Sequence, residues 1–190
     1  GEGGIVVAKD DEKAARIKVL ALHGMSKDAW KRFSDSGWVH YQVIEAGFKY
    51  NMMDIQAAIG IQQVRKIDGF FARRKQNYET LATALSDISE LSLLESTGGR
   101  YQSSYYCLSA ILDPKLAPRR AEIMSRLTEL GIGTSIYYPQ PVPRMTYYRE
   151  KYGFTAAKFP HACRISDGSI AFPVGPHLPP AHIVEVARAA

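Results

Sequence analysis

The sequence is poor in the residues that build metal and redox centres. Its two cysteines, Cys107 and Cys163, are far apart and form no C-x-x-C pair. That usage suits a reducing cytoplasm. The five histidines, His23, His40, His161, His177 and His182, are scattered without ligand spacing, so no metal site is expected and a structural or surface role is the default for each. No G-x-S-x-G, H-E-x-x-H, Walker A or G-x-G-x-x-G motif occurs, which excludes the readily spelled hydrolase, zincin and nucleotide-binding signatures. No apolar run reaches the roughly 18 residues of a membrane span, so no membrane partner is expected. A basic-then-apolar leader is also missing. The first residue is Gly1 rather than Met, and Gly1-Glu2-Gly3-Gly4 leads straight into Ile5-Val6-Val7-Ala8. A turn feeding directly into an apolar run is how the middle of a domain reads, so the expectation is a fragment or a processed product.

Charge of one sign is also in short supply. Lys and Arg number 24 against 19 Asp and Glu, a net charge of +5. The clusters Arg73–Arg74–Lys75 and Arg119–Arg120 fall in helical patterns and read as solvated faces. A nucleic-acid surface shows a longer basic stripe with interleaved aromatics, so no nucleic-acid partner is expected. The mild positive balance suits small anionic ligands. What the chain does have is core: 46% hydrophobic residues, with 11 Tyr, 7 Phe and 2 Trp in 190 residues. That is enough for one good-sized domain, or a domain and a piece of another.

Periodicity gives the order of elements. Ile5–Ala8 predicts a buried strand. Asp10 or Asp11 caps a helix running to about Leu22, ended by His23-Gly24. Residues 25–46 lack a period and hold Trp30, Phe33, Trp38 and Tyr41; long aromatic loops are uncommon in compact domains and often functional. Asn51 predicts an N-cap with Asp54 as the capping-box acid. The helix continues on Ile55, Ile59, Val64 and Ile67, breaks near Gly69, and resumes over Phe70–Leu85, long enough to bridge two domains. Strands follow at Leu91–Leu94, Tyr105–Leu112, Ile132–Tyr138 and Ser169–Phe172, with Thr97-Gly98-Gly99 as a turn. Helices are predicted over Arg119–Leu130, Ala156–Asp167 and from Ala181 onward, with a helical turn at Tyr147–Tyr152. The pattern is an α+β module of about three strands with helices on one face.

Two places carry candidate chemistry. Gly47 to Gly60 reads GFKYNMMDIQAAIG and sets Lys49 beside a predicted helix start. Helix starts collect unpaired N–H groups and the positive end of the dipole, so this is a seat for an anion, phosphate first. Most capped helix starts hold nothing, and that alternative stands. Tyr137 and Tyr138 alternate across a predicted strand that runs into prolines 139–143. A ligand wall and plain core packing with a surface turn both fit.

The same residues resemble a known family. Gly47-Phe48-Lys49-Tyr50-Asn51-Met52, continued by Asp54-Ile55-Gln56-Ala57-Ala58, is similar to a segment of the DegT/DnrJ/StrS sugar aminotransferases. Glu2-Gly3-Gly4, the run Gly131-Ile132-Gly133-Thr134-Ser135 with Tyr137-Tyr138-Pro139 and Tyr147-Tyr148-Arg149, and the pairs Phe159-Pro160 and Phe172-Pro173 keep the family's order. The resemblance implies the C-terminal portion of a fold-type-I, pyridoxal-phosphate-dependent α/β transferase: a long helix and a small three- or four-stranded sheet with helices. Residues 1–24 would be the tail of the large cofactor domain, 25–87 the interdomain loop and long helices, and 88–190 the small domain.

It also implies roles. Lys49 and Asn51, with Tyr50 adjacent, would reach across a homodimer to the partner's cofactor phosphate. Tyr137 and Tyr138 would meet substrate. Val142-Pro143-Arg144 stands where many relatives have a histidine, which makes Arg144 a candidate for a nucleotide-sugar diphosphate. The family's catalytic lysine and the acid that pairs with the pyridine nitrogen would precede Gly1, so no catalytic residue is assigned and the chain alone is expected not to transaminate. The implied activity is transfer of an amino group, from glutamate as donor, to a keto group of a nucleotide-linked sugar. The alternatives are a cofactor-dependent sugar dehydratase, with histidine in place of the lysine, and a split-gene product that serves as a dimerisation or binding partner.

Overall fold

The computed structural model describes residues 2–26, 40–94, 97–98 and 100–190. They form two compact units, Gly1–Lys66 and Ile67–Ala190.

In the first unit, helix α1 spans Asp11–Ala21. Asp10 caps it by accepting from the Lys13 N–H at 3.0 Å, and Asp11 and Glu12 complement the dipole in the first turn. The helix ends through two left-handed residues, His23 (φ 58°) and Gly24 (φ 72°). Here the chain crosses residues 42–50 at close range. A Cβ on Gly24 would lie 1.7 Å from the Glu45 carbonyl oxygen, and one on Gly47 would lie 2.1 Å from the Gly24 nitrogen. Only glycine permits this approach. Backbone bonds then tie the two passes together: Phe48 N–H to Leu20 at 2.7 Å, His23 N–H to Phe48 at 2.8 Å and Tyr50 N–H to Ala21 at 2.8 Å. Antiparallel bridges at Leu22–Lys49 and Met25–Val43 join the ends of the predicted 25–46 loop. Its middle, with Trp30, Phe33 and Trp38, lies outside the described residues.

Two local expectations fail in this unit. Ile5–Ala8 is not a strand, and Ile5, Val6 and Val7 are 81%, 71% and 89% exposed. A strand needs a neighbour for its N–H and C=O groups, and none among the described residues pairs with it. Helix α2 spans Asp54–Val64, and its N-cap is Met53 rather than Asn51. Gln56 accepts from the Met53 N–H at 3.0 Å and donates to the Glu2 carbonyl at 3.2 Å. Asp54 is therefore the first helical residue and not the acid of a capping box.

Helix α3 spans Ile67–Leu85. The predicted break at Gly69 falls inside its first turn; the interruption is the turn at Arg65–Lys66, with Lys66 N–H bonded to Gln63 at 3.0 Å. A single glycine costs a helix only about 1 kcal/mol and does not by itself end one. Strands β1 (Leu91–Leu93), β4 (Leu108–Leu112) and β5 (Ser169–Phe172) form an antiparallel sheet in the order β1-β4-β5, while β2 (Thr97–Gly98) and β3 (Tyr101–Gln102) make a separate hairpin. Leu91 faces Leu112 and Leu108 faces Phe172 across β4. Helix α4 spans Arg120–Glu129, α5 Thr146–Tyr152, α6 Pro160–Gly168 and α7 Pro180–Ala189.

The core gathers Tyr78, Leu81 and Leu85 of α3, Leu127 of α4, Ile183 and Val186 of α7, and Leu108, Ala110 and Leu112 of β4. Their three- and four-residue helical spacing and two-residue strand spacing are what one buried face of each element requires. Ile111 is buried outside that cluster, against Gly168 at the end of α6. Helices thus cover both faces of the sheet, not one. Buried Asn77 is held by donating to the carbonyls of Gly175 at 3.0 Å and Leu178 at 3.2 Å. Arg120 is no solvated charge either: its guanidinium donates to the carbonyls of Ser166 and Ser169 at the C-terminus of α6, where the dipole favours a cation.

Two predicted strands shorten for a shared reason, that pairing is non-local. The central strand begins at Leu108 because Tyr105 takes a positive φ of 51°. Tyr105 is instead a core ring, edge-on to Phe71 and Tyr78. Ile132–Tyr138 makes a single bridge, Ser135 to Ala171 of β5. The predicted Ala156–Asp167 helix splits into a short 3-10 turn, Ala156–Lys158, and α6, where Pro160 takes the first helical position that tolerates a missing N–H. Among the described residues no helix is long and apolar enough to cross a membrane. Nor does any group of His, Cys, Asp and Glu stand ready for a metal ion. Both cysteines are free thiols.

Candidate functional site

Residues 48–51 are extended, so their side chains alternate. Lys49 and Asn51 share one side: the Lys49 ammonium donates to Asn51 Oδ1. Phe48 and Tyr50 share the other, with rings stacked at 5.0 Å and 6° apart. The structure therefore brings Lys49 and Asn51 together and turns Tyr50 toward Phe48. Because Asn51 Oδ1 accepts from the ammonium, its Nδ2 hydrogens remain as donors. The helix end adds little to this seat, since Gln56 takes the Met53 N–H and Asp54 already stands in the first turn. An anion here meets one ammonium and one amide, held in place by the backbone pairing of residues 47–50 with the end of α1.

The second candidate lies wholly within residues 67–190. The Ser135–Ala171 pairing, at 2.8 and 3.1 Å, pins the chain against β5 just before Tyr137. Tyr137 lines a cavity of about 250 Å³ together with Tyr106, Thr134, Ser135, Phe172 and His177. Tyr138 is 72% exposed and stands edge-on to Tyr137, with ring centres 5.7 Å apart. The expected inward and outward pair on a strand is not formed, and Tyr138 does not line the cavity. Tyr106 tilts against Tyr137 at 5.9 Å. Its hydrogen bond to Tyr137 raises the Tyr106 phenol above its ordinary value.

Arg144 is already engaged. It donates to both oxygens of Asp167, at 2.6 and 2.9 Å. The bond holds the Asp167 carboxyl below the usual carboxylate range and raises Arg144 further. A larger, open groove of about 560 Å³ runs beside this pair, lined by Leu112, Pro114, Ala117, Pro118, Arg164 and Asp167. Its walls are mostly apolar and its acid is spoken for, so no set of polar groups converges there.

Sequence reasoning missed Tyr106, Thr134 and Arg74. Arg74 was grouped with a solvated basic face, yet its guanidinium lies 5.7 Å from the centre of the Tyr106 ring. These residues come from α3, from the approach to β4 and from the segment bridged to β5. No spacing in the sequence links them.

The chain is 36% identical over 180 residues to the spore coat polysaccharide biosynthesis protein SpsC of Bacillus subtilis, covering 94% of this chain and 46% of SpsC. It is 33% identical over 162 residues to the UDP-4-amino-4-deoxy-L-arabinose--oxoglutarate aminotransferase of Shewanella sediminis, covering 83% of this chain and 40% of that protein. In structure it is similar to Spr1654 of Streptococcus pneumoniae in its PMP form, with a TM-score of 0.82, 24% identity, and coverage of 96% of this chain and 45% of that one. The fold is thus that of the C-terminal portion of a fold-type-I transferase. The chain spans about half the length of the curated relatives it matches. All of residues 1–190 match the DegT/DnrJ/EryC1/StrS aminotransferase family, and the chain belongs to it.

Proposed function

We propose that this chain is the C-terminal part of a pyridoxal-phosphate-dependent aminotransferase that moves an amino group from glutamate to a keto group of a nucleotide-linked sugar. The family supports an aminotransferase. The name of the Shewanella relative supports a nucleotide-linked sugar and the glutamate–oxoglutarate pair. The PMP form of Spr1654 supports the cofactor.

The observation that carries the reading is the Lys49–Asn51 pair. A cofactor phosphate is a multivalent acceptor. It fits a cation and an amide donor whose backbone is fixed and whose pair includes no acid. In this reading Lys49 and Asn51 hold that phosphate for the partner of a homodimer, and Tyr50, stacked on Phe48, walls the approach. The exposed Ile55, Ile59, Ile61 and Val64 of α2 support an apolar surface covered by other protein. When bound, the cofactor supplies the electron sink through which an amino group changes carriers. In this reading Tyr137 and Tyr138 meet substrate and orient it. Arg144 serves a sugar diphosphate only by exchanging Asp167 for it.

The test is cofactor affinity in the complete protein. Lys49→Ala should weaken pyridoxal phosphate binding about tenfold, the loss of one charged hydrogen bond. An unchanged affinity in a folded variant would remove the phosphate role.

A further inference from the structure

The turn between β5 and α7 is held more firmly than a surface connection needs. The Leu178 N–H closes it by bonding to the Gly175 carbonyl at 3.1 Å. Asn77, 1% exposed on α3, clasps both ends: its Nδ2 donates to the carbonyls of Gly175 at 3.0 Å and Leu178 at 3.2 Å. Two carbonyl acceptors fix which end of the amide is nitrogen. Asn77 Oδ1 is buried without a partner among the described residues. An apolar residue would avoid that cost, so what the amide contributes is the placement of the turn. The turn carries His177. A Cβ on Gly175 would lie 2.5 Å from His177 Cε1 and 2.7 Å from Nδ1, so the ring fills the place that any other residue 175 would give its side chain. Gly175 and His177 both line the cavity beside Tyr137. Among the described residues no hydrogen bond or ion pair engages the His177 ring.

The ring therefore has two nitrogens to offer. A neutral imidazole donates from one and accepts at the other. A sugar hydroxyl likewise donates and accepts, and the apolar face of a sugar ring lies well against an aromatic side chain. Among the described residues no Asp, Glu, Lys or Arg lines the cavity, so it suits a neutral part of a ligand, and about 250 Å³ has room for one sugar ring. We propose that His177, seated by the Asn77 clasp and by the missing side chain of Gly175, is a specificity-determining residue that bonds a hydroxyl of the keto sugar beside Tyr137. The seating stands on the geometry alone; the sugar rests on the aminotransferase reading. Asn77 is a positioning residue, acting only through the turn.

Gly175→Ala is the sharpest variant. Residue 175 has no left-handed φ to strain, and the added methyl group meets only the end of a side chain that can swing away. The seating is read by NMR in the complete protein, as a nuclear Overhauser contact between the His177 ring and the Gly175 Hα. That contact is expected in the wild type and lost in Gly175→Ala. Asn77→Asp keeps the shape of the clasp but removes its donor, and should weaken the contact. No contact in the wild type overturns the seating, and a full contact in Asn77→Asp overturns the clasp. The role is read from amino transfer with pyridoxal phosphate, glutamate and a nucleotide-linked keto sugar. His177→Ala and Gly175→Ala should each raise KM for the sugar roughly fivefold, the loss of one neutral hydrogen bond, and leave KM for glutamate unchanged. His177→Gln should recover part of the loss. A sugar KM unmoved in both alanine variants, or an equal rise in both KM values, overturns the sugar contact. No amino transfer in the wild type removes the aminotransferase reading and the sugar with it, while the Overhauser contact still decides the seating.

Discussion

The Arg144 guanidinium meets the Asp167 carboxylate at two points, Nη1 to Oδ1 at 2.6 Å and Nη2 to Oδ2 at 2.9 Å, and so ties the proline-rich loop to the end of α6. Arg144 holds the Asp167 carboxyl below its ordinary value by hydrogen bonding to the charged form. A group lowered on folding adds stability that is fully present above its unfolded value and lost as pH falls through its folded value. Asp167→Asn should therefore lower the Tm slightly near neutral pH, and the difference from wild type should vanish in strong acid. Both groups are partly exposed, so added salt should shrink the effect too. Thermal melts across pH and salt check this; a difference that grows in acid contradicts it.

The core of residues 67–190 is predicted to depend on Leu81, which is fully buried between α3 and the sheet. Leu81→Ala should cost about 2–5 kcal/mol, read from the urea midpoint. Ile55→Ala, on an exposed helix surface of this chain, should stay within about 0.5 kcal/mol.

Gly47 is predicted to control where Lys49 sits. In Gly47→Ala one of its Cα hydrogens is replaced by a methyl group 2.1 Å from the Gly24 nitrogen, and backbone there has no room to give. Strain of roughly 1–3 kcal/mol should part the two chain passes. Amide exchange should quicken at His23, Phe48 and Tyr50, the donors that bond across the crossing. Unchanged protection of all three would contradict this.

The chain by itself is predicted not to transfer amino groups. None of its lysines stands in the context that the family's catalytic lysine occupies. With added pyridoxal phosphate, no stable visible band of a lysine-bound cofactor should form, and a robust band would contradict the prediction.

What the sequence revealed follows how local the signal was. Asp10 caps α1, and Ser169–Phe172 is a strand with the predicted bounds, because capping and short apolar runs between helices are written in neighbouring residues. Ile5–Ala8 and Ile132–Tyr138 carry equally apolar sequence and fail as strands, because a strand exists only with a partner. Asn51 is a good capping residue, but the Lys49 ammonium claims its side-chain oxygen. The Lys49–Asn51 site was legible from one segment. The cavity was not, because Tyr106, Thr134 and Phe172 converge only after the approach to β4, the segment bridged to β5 and β5 itself are packed.

The central claim is that the protein to which this chain belongs transfers an amino group to a sugar. The direct measurement is isotope-labelled glutamate nitrogen, followed in the complete protein with pyridoxal phosphate and a panel of nucleotide-linked keto sugars. The account predicts labelled nitrogen on the sugar, in an amount that falls when Lys49 is replaced by alanine. Loss of a sugar hydroxyl with no nitrogen gained, the dehydratase outcome, would contradict it.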